Sequence, residues 1–234
     1  MLVILGLDGL EYNYVEEFGF KELKQAYYGK TDISEFEKPR TLVIWSSFIS
    51  GKNMEKEVLS QKDFWDFKVP IEKTLFSKFK NFKAIDVPGF CFDAEQHKKE
   101  RQGLKEFFDK KISIEDYDKL IFTHHKKIKQ EFFEALKKDY NVVMGYFGLA
   151  DVVGHLSFGI KSKMKMIYQE LDEIAKKTKE MAEGNVLIFA DHGMEAIGRF
   201  GDHSNNGFWS TNKDFGIKNP KSTDFYNIIT GKMI

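Results

Sequence analysis

Short, uninterrupted apolar runs alternate along the chain with longer segments whose apolar residues recur every three or four positions. The first kind suits strands buried on both faces and the second suits helices with one buried face. Their alternation is the pattern of an α/β protein with a largely parallel sheet. Strands are predicted over 2–7, 83–87, 141–147 and 185–190, with a weaker candidate over 225–229. Helices are predicted to open over 41–50 and 71–79. The lysine- and glutamate-rich stretches 119–138 and 162–182 read as surface helices with solvated outer faces. The charged segment 90–139 has two readings, crossover helices between strands or a small helical cap, and the crossover reading is preferred. No internal repeat or low-complexity linker interrupts the 234 residues, so one domain over 1–234 is expected.

Three of the predicted strands run into residues that carry chemistry. Asp8-Gly9 follows the first strand, Asp151 follows the third with His155 four residues later, and Asp191-His192-Gly193 follows the fourth. Ligand sites of open parallel sheets lie beyond the carboxyl ends of the strands, so these groups are expected to converge on one crevice. A lone Asp there is more often a cap or turn former, and a lone His a satisfied structural residue. The joint occurrence, with His203 in a glycine-flanked loop, is what points to a metal centre. Mixed carboxylate and imidazole ligands suit zinc, manganese or iron better than an all-oxygen calcium or magnesium cage. Thr41 stands where a helix is predicted to start, where free N–H groups and the helix dipole favour an anion. A hydroxyl there is either a simple N-cap or a nucleophile, and Ser46, Ser47 and Ser50 are rival hydroxyls.

Composition narrows the picture. Formal net charge is +0 with a pI near 7.0, so no bulk basic surface advertises nucleic-acid binding. A single cysteine, Cys91, allows no internal disulfide and fits a reducing cytoplasm; it is expected to be a small buried hydrophobe. The opening apolar run lacks the basic flank of a signal peptide, and no stretch approaches the roughly 18–20 apolar residues that span a bilayer. A cytoplasmic protein is expected. Arginine occurs only at positions 40, 101 and 199, and Arg40 and Arg199 lie inside the motif segments, where a bidentate phosphate donor would help.

In order and spacing, Asp8-Gly9, Thr41 with Gly51 ten residues on, Asp151 to His155, Asp191-His192-Gly193-Met194 and His203 form one series. On that series the chain resembles the alkaline phosphatase superfamily and, within it, the type I phosphodiesterase/nucleotide pyrophosphatase group. The resemblance runs over about 1–207. It implies a three-layer sandwich, a mostly parallel central sheet flanked by helices, with minimal or no cap domain. It further implies two divalent metal ions, zinc first and manganese or iron otherwise. One would be held by Asp151, His155 and His203, the other by Asp8, Asp191, His192 and the Thr41 oxygen. Thr41 would form a covalent phosphothreonine, with the Leu42 backbone N–H and the helix start holding a phosphoryl oxygen. The substrate would be a small phosphate ester or nucleotide.

The chain also departs from the group's pattern. Val43 stands where the group usually has proline, and Met54-Glu55-Lys56-Glu57 replaces a usual proline and His-Gly pair, which alters the substrate pocket. The short His192–His203 connection leaves the site relatively uncapped from that side. Thr41 argues against the sulfatases of the same superfamily. A phosphomonoesterase on the same site is the alternative, with Arg40 or Arg199 as the extra donors. A catalytically inactive metal-binding interaction module is the alternative of a different class. His97, His124 and His125 are expected to be solvated helix residues. Trp45, Phe208 and Trp209 are expected to pack in or around the core. Asp202 is expected to cap its own loop.

Overall fold

A computed structural model describes residues 1–233. The strands are β1 Leu2–Leu7, β2 Tyr27–Asp32, β3 Phe82–Ile85, β4 Val142–Phe147, β5 Asn185–Ala190, β6 Met194–Ile197, β7 Phe200–His203 and β8 Asn206–Thr211. The helices are α1 Tyr12–Phe18, α2 Lys21–Lys24, α3 Thr41–Ser50, α4 Glu55–Leu59, α5 Ala94–Phe108, α6 Ile114–Leu136, α7 Leu149–Ser157, α8 Lys161–Met181 and α9 Asp224–Lys232.

The central sheet has six strands in the order β2-β8-β5-β1-β4-β3. Strands β3, β4, β1 and β5 run parallel, while β8 is antiparallel to β5 and β2 antiparallel to β8. Every residue of β1 and of β4 is buried, which is why both strands are apolar throughout. Alternate side chains feed two cores. Val3, Leu5 and Leu7 face the layer that includes α7 and α8, whereas Leu2 and Ile4 face the layer that includes α3 and α9. The result is the expected three-layer α/β sandwich.

Local signals explain the helix limits. Asp93 accepts from the Gln96 N–H at the start of α5. Ser113 and Asp116 form a reciprocal capping box at the start of α6. Gly51 adopts a left-handed conformation (φ 68°) that stops α3. Within the segment 90–139, α6 is the crossover between the parallel strands β3 and β4. Helix α5 packs on α6 and reaches the rim of the site.

Three expectations need correction. The segment 225–229 lies inside α9, because Phe225 and Ile229 are four apart and form one buried helical stripe. The segment 71–79 forms two 3-10 turns, Ile71–Lys73 and Leu75–Lys78, interrupted by extended Thr74. Cys91 is exposed, not buried. Trp45 and Phe208 are fully buried and Trp209 nearly so, in keeping with a packing role. Among the described residues no helix is long and apolar enough to cross a membrane.

Candidate metal centre

Strands β1, β4 and β5 are neighbours; Asp8 and Asp191 come directly after β1 and β5, and Asp151 stands in the first turn of α7, which follows β4. The turn after β1 requires Gly9: its φ is 69°, and a Cβ there would sit 2.7 Å from the Asp151 Cα. The Asp-Gly pair is therefore fixed by the close approach of the β1 and β4 strand ends. Helix α7 runs unbroken through Gly154, so Asp151 and His155 share one helical face, with His155 Nε2 3.3 Å from Asp151 Oδ1. His203, at the end of β7, brings its Nε2 to 3.4 Å from the same oxygen. On the other side, His192 Nε2 lies 3.3 Å from Asp8 Oδ1 and 3.4 Å from Asp191 Oδ2. The two half-sites touch, since the His192 and His203 rings stack with centroids 3.7 Å apart.

What these atoms lack is more telling than what they touch. Asp8 Oδ1, Asp151 Oδ1, both oxygens of Asp191, His192 Nε2 and His203 Nε2 are buried with no hydrogen-bond partner. Burying that many unsatisfied polar atoms costs about 1–3 kcal/mol each. The outer shell deepens the mismatch. His192 Nδ1 faces the Gly193 carbonyl at 3.0 Å, and His155 Nδ1 faces the Gly201 carbonyl at 3.3 Å. A carbonyl accepts only, so each ring places an N–H there, and in neutral His192 this turns a bare Nε2 lone pair toward the Asp8 and Asp191 carboxylates. Lone pairs facing carboxylate oxygens repel unless a cation lies between them. The donor set thus fits divalent metals, in two sub-clusters, Asp8–Asp191–His192 and Asp151–His192–His203. His155 completes the second through Asp151.

Electrostatics shows the same excess of negative charge. Burial, then the Asp151 charge, pushes the Asp8 carboxyl up to about 7, against the Tyr146 hydrogen bond that lowers it. Burial and the neighbouring Asp8 and Asp151 raise Asp191 well above the usual carboxylate range. Burial opposes ionisation of Asp151, but His155 and His203 outweigh it and hold that carboxyl well below its ordinary value. The Asp151 charge raises His155 to about 9, while burial, then His203, drops His192 to about 3. A cation placed among them would substitute for these displaced protons.

Beside this cluster opens a cavity of about 350 Å³, walled in part by Arg40, Thr41, Trp65, Arg101, His155 and His203. Thr41 opens α3, so its backbone N–H and that of Leu42 belong to the first turn and have no partner within the helix. The rival hydroxyls are otherwise placed. Ser46 and Ser47 are fully buried, and the Ser47 hydroxyl both donates to the Val43 carbonyl and accepts from the Met54 N–H. Ser50 is also buried. Arg199 is exposed on the β6–β7 turn, with its guanidinium over the Phe200 ring and away from the cavity walls. Asp202 accepts from the His203 N–H, the loop-capping role expected of it.

Four further residues shape the site that the motif series did not single out. Glu11 is buried and ties three segments together: its carboxylate accepts from the Met194 N–H, the Ser204 hydroxyl and the Asn13 N–H. A Cβ on Gly193 would fall 2.1 Å from Glu11 Oε2, which explains the glycine after Asp191-His192. Tyr146 donates to Asp8 Oδ2 at 2.5 Å. Arg101 stacks over Trp65 at 3.9 Å on the cavity wall, contributed by α5. Only Arg101 left a trace in the sequence, as one of three arginines among many lysines.

A strand-end cluster of carboxylates and imidazoles on a three-layer sandwich defines the class: the chain has the alkaline phosphatase fold. The alkaline phosphatase from the Antarctic bacterium TAB5 superposes with a TM-score of 0.55 over 100% of this chain and 98% of its own, at 11% identity. Murine ectonucleotide pyrophosphatase/phosphodiesterase 5 superposes with a TM-score of 0.52 over 85% of this chain, at 17% identity. This chain spans 58% of the murine protein's length. An inactive form of the murine protein has been solved in complex with AMP. No protein-family model and no curated sequence matches the chain.

Proposed function

We propose that this protein is a metal-dependent hydrolase of phosphate esters, acting on diesters or nucleotide pyrophosphate bonds through a covalent phosphothreonine at Thr41. The observation that carries the reading is the set of orphaned carboxylate and imidazole atoms at the wall of a cavity that also presents Thr41. Asp8, Asp191 and His192 would hold one ion with the Thr41 oxygen, and Asp151, His155 and His203 the other. Two such ions, zinc by the ligand chemistry, supply charge neutralisation and a lowered pKa for hydroxyls in their reach.

The residues then divide the work. A phosphoryl group entering the cavity meets the open N–H groups at the start of α3, which hold a non-bridging oxygen. The Thr41 hydroxyl gives up its proton to solvent and its oxygen attacks phosphorus, while the bond to the leaving alcohol or phosphate breaks on the opposite face and the leaving oxygen takes up a proton from solvent. Water then attacks the phosphothreonine from the His155–His203 side, releasing product and restoring the hydroxyl. Tyr146 and the outer carbonyls keep Asp8, His155 and His192 aimed throughout. The AMP bound by the murine neighbour supports a nucleotide among the substrates.

Arg40 and Arg101 on the cavity wall favour a second reading, a phosphomonoesterase, because two guanidinium groups suit the extra charge of a terminal phosphate. Parallel hydrolysis of bis-p-nitrophenyl phosphate and p-nitrophenyl phosphate, with zinc, manganese or iron added, decides between them. A kcat/KM at least tenfold higher for the diester, about 1.4 kcal/mol, supports the first. No hydrolysis of any ester by metal-loaded protein would instead favour the inactive binding module.

A further inference from the structure

A second cluster of carboxylates and imidazoles lies buried behind the reaction centre, where Asp86 follows β3 and meets His97 and Glu100 of α5 and His124 of α6. His97 and His124 were expected to be solvated helix residues, and so was His125. All three are buried, His125 against Glu170 at 3.0 Å, because the packing of α5 on α6 turns these positions inward, beside Ile121 and Ile128 of α6.

Glu100 fixes the chemistry of the pair. Its Oε1 lies 2.7 Å from His124 Nδ1 and its Oε2 2.9 Å from His97 Nδ1. One carboxylate thus takes the N–H of both rings and directs both Nε2 atoms the same way. Both point at Asp86 Oδ2, His97 Nε2 at 2.7 Å and His124 Nε2 at 3.5 Å. The Asp86 backbone is in the left-handed region (φ 56°), and its other oxygen is held by the Asp93 N–H at 2.8 Å, leaving Oδ2 for the histidines. His124 is only 8% exposed, and its Nε2 has no hydrogen-bond partner although it is aimed into the cluster. A small cavity of about 20 Å³ adjoins these atoms, room for one water.

We propose that Asp86, His97 and His124 form a further metal site, separate from the two sub-clusters at the ends of β1, β4 and β5, for a single zinc-class ion. Three convergent ligand atoms, with one carboxylate outside both imidazoles and space for one water, are the parts of a tetrahedral nitrogen–oxygen site. Glu100 is a positioning residue, since it holds the ligands without facing the ion. The Tyr146 ring lies 6.1 Å from His97 while its hydroxyl binds Asp8, so this ion would brace the wall on which the reaction centre rests.

Metal content tests the proposal without any reference to activity. Zinc-loaded protein, desalted and measured by elemental analysis, should hold one ion per chain beyond those of the reaction centre. The Asp191→Asn/His203→Gln double variant should still retain one equivalent, and adding His124→Gln should remove it. Because His124 is buried, Glu100→Gln is the second probe. It keeps all three ligands and should weaken this ion about 10–100-fold in a competitive chelator titration. The proposal is overturned if the double variant retains no zinc. It is equally overturned if His124→Gln and Glu100→Gln bind zinc in the same number and affinity as the parent, which would make the cluster a proton-bridged ion network.

Discussion

The two buried carboxylate–imidazole clusters of this molecule look alike in composition and differ in how far their atoms are satisfied. At the ends of β1, β4 and β5, six carboxylate and imidazole atoms have no hydrogen-bond partner, and the carboxyls of Asp8 and Asp191 are pushed upward by burial and by neighbouring carboxylates, Asp151 for Asp8, and Asp8 and Asp151 for Asp191. Around Glu100 only the His124 Nε2 is left over. There burial opposes ionisation, but the two imidazoles outweigh it and hold Glu100 down at about 2, and its neighbour His97 rises to about 9. The first arrangement carries surplus negative charge that added cations would offset. The second is nearly neutralised by its own imidazoles. Surplus unsatisfied carboxylate and imidazole atoms beside a cavity, more than the mere presence of His and Asp, mark the candidate metal centre.

Substitutions should separate the two clusters, most sharply in activity. Thr41→Ala should lower turnover of an aryl diester by at least about 1000-fold with the fold intact by circular dichroism, while Thr41→Ser keeps part of it. Asp191→Asn should be comparably damaging. His124→Gln should stay within about tenfold of the parent. Loss of activity in His124→Gln as deep as in Thr41→Ala would erase the distinction drawn between the clusters.

Stability should respond with opposite signs. In chelator-treated protein, Asp191→Asn should raise the melting temperature, because it removes one of three crowded carboxylates. His97→Ala should lower it, at a cost of about 3–5 kcal/mol, because it leaves Asp86 and Glu100 buried with less compensation. Calorimetry of the two variants checks both signs.

Acidity gives a smaller effect. Folded Asp8 and His155 both bind protons more tightly than in the unfolded chain, with values of about 7 and about 9 against 3.8 and 6.5. Their contribution to the metal-free protein is complete at low pH and is lost as pH rises through about 7 and then about 9. Metal loading should therefore raise the melting temperature more at pH 9 than at pH 6. An equal increment at both would contradict the assigned charge excess. Smallest of all, Arg101→Ala should raise KM for a monoester severalfold more than for a diester, and Arg199→Ala should change neither, since its side chain lies over Phe200.

Much of the candidate metal centre was legible from residue order alone, because its carboxylates and imidazoles follow strand ends and strand ends follow apolar runs. Asp8, Asp151, His155, Asp191, His192 and His203 meet as the series implied, and Thr41 reaches the same cavity wall. The second cluster was not legible. Its histidines sit among lysines and glutamates, and only the packing of α5 on α6 turns their faces inward. The strands β2 and β8 were missed because Tyr27–Asp32 is largely polar and partly exposed, and the run 206–211 is short and capped by hydroxyls. The helix α9 was mistaken for a strand because two apolar residues four apart fit both periods in so short a window.

The proposed role of Thr41, taking up the phosphoryl group, is tested most directly by chemical trapping. Zinc-loaded protein quenched in acid during turnover of bis-p-nitrophenyl phosphate, then digested and mapped by mass spectrometry, should carry a phosphoryl adduct on Thr41. The adduct should be absent from Thr41→Ala and from chelator-treated protein. An adduct on Ser46 or Ser47, or undiminished hydrolysis by Thr41→Ala, would contradict it.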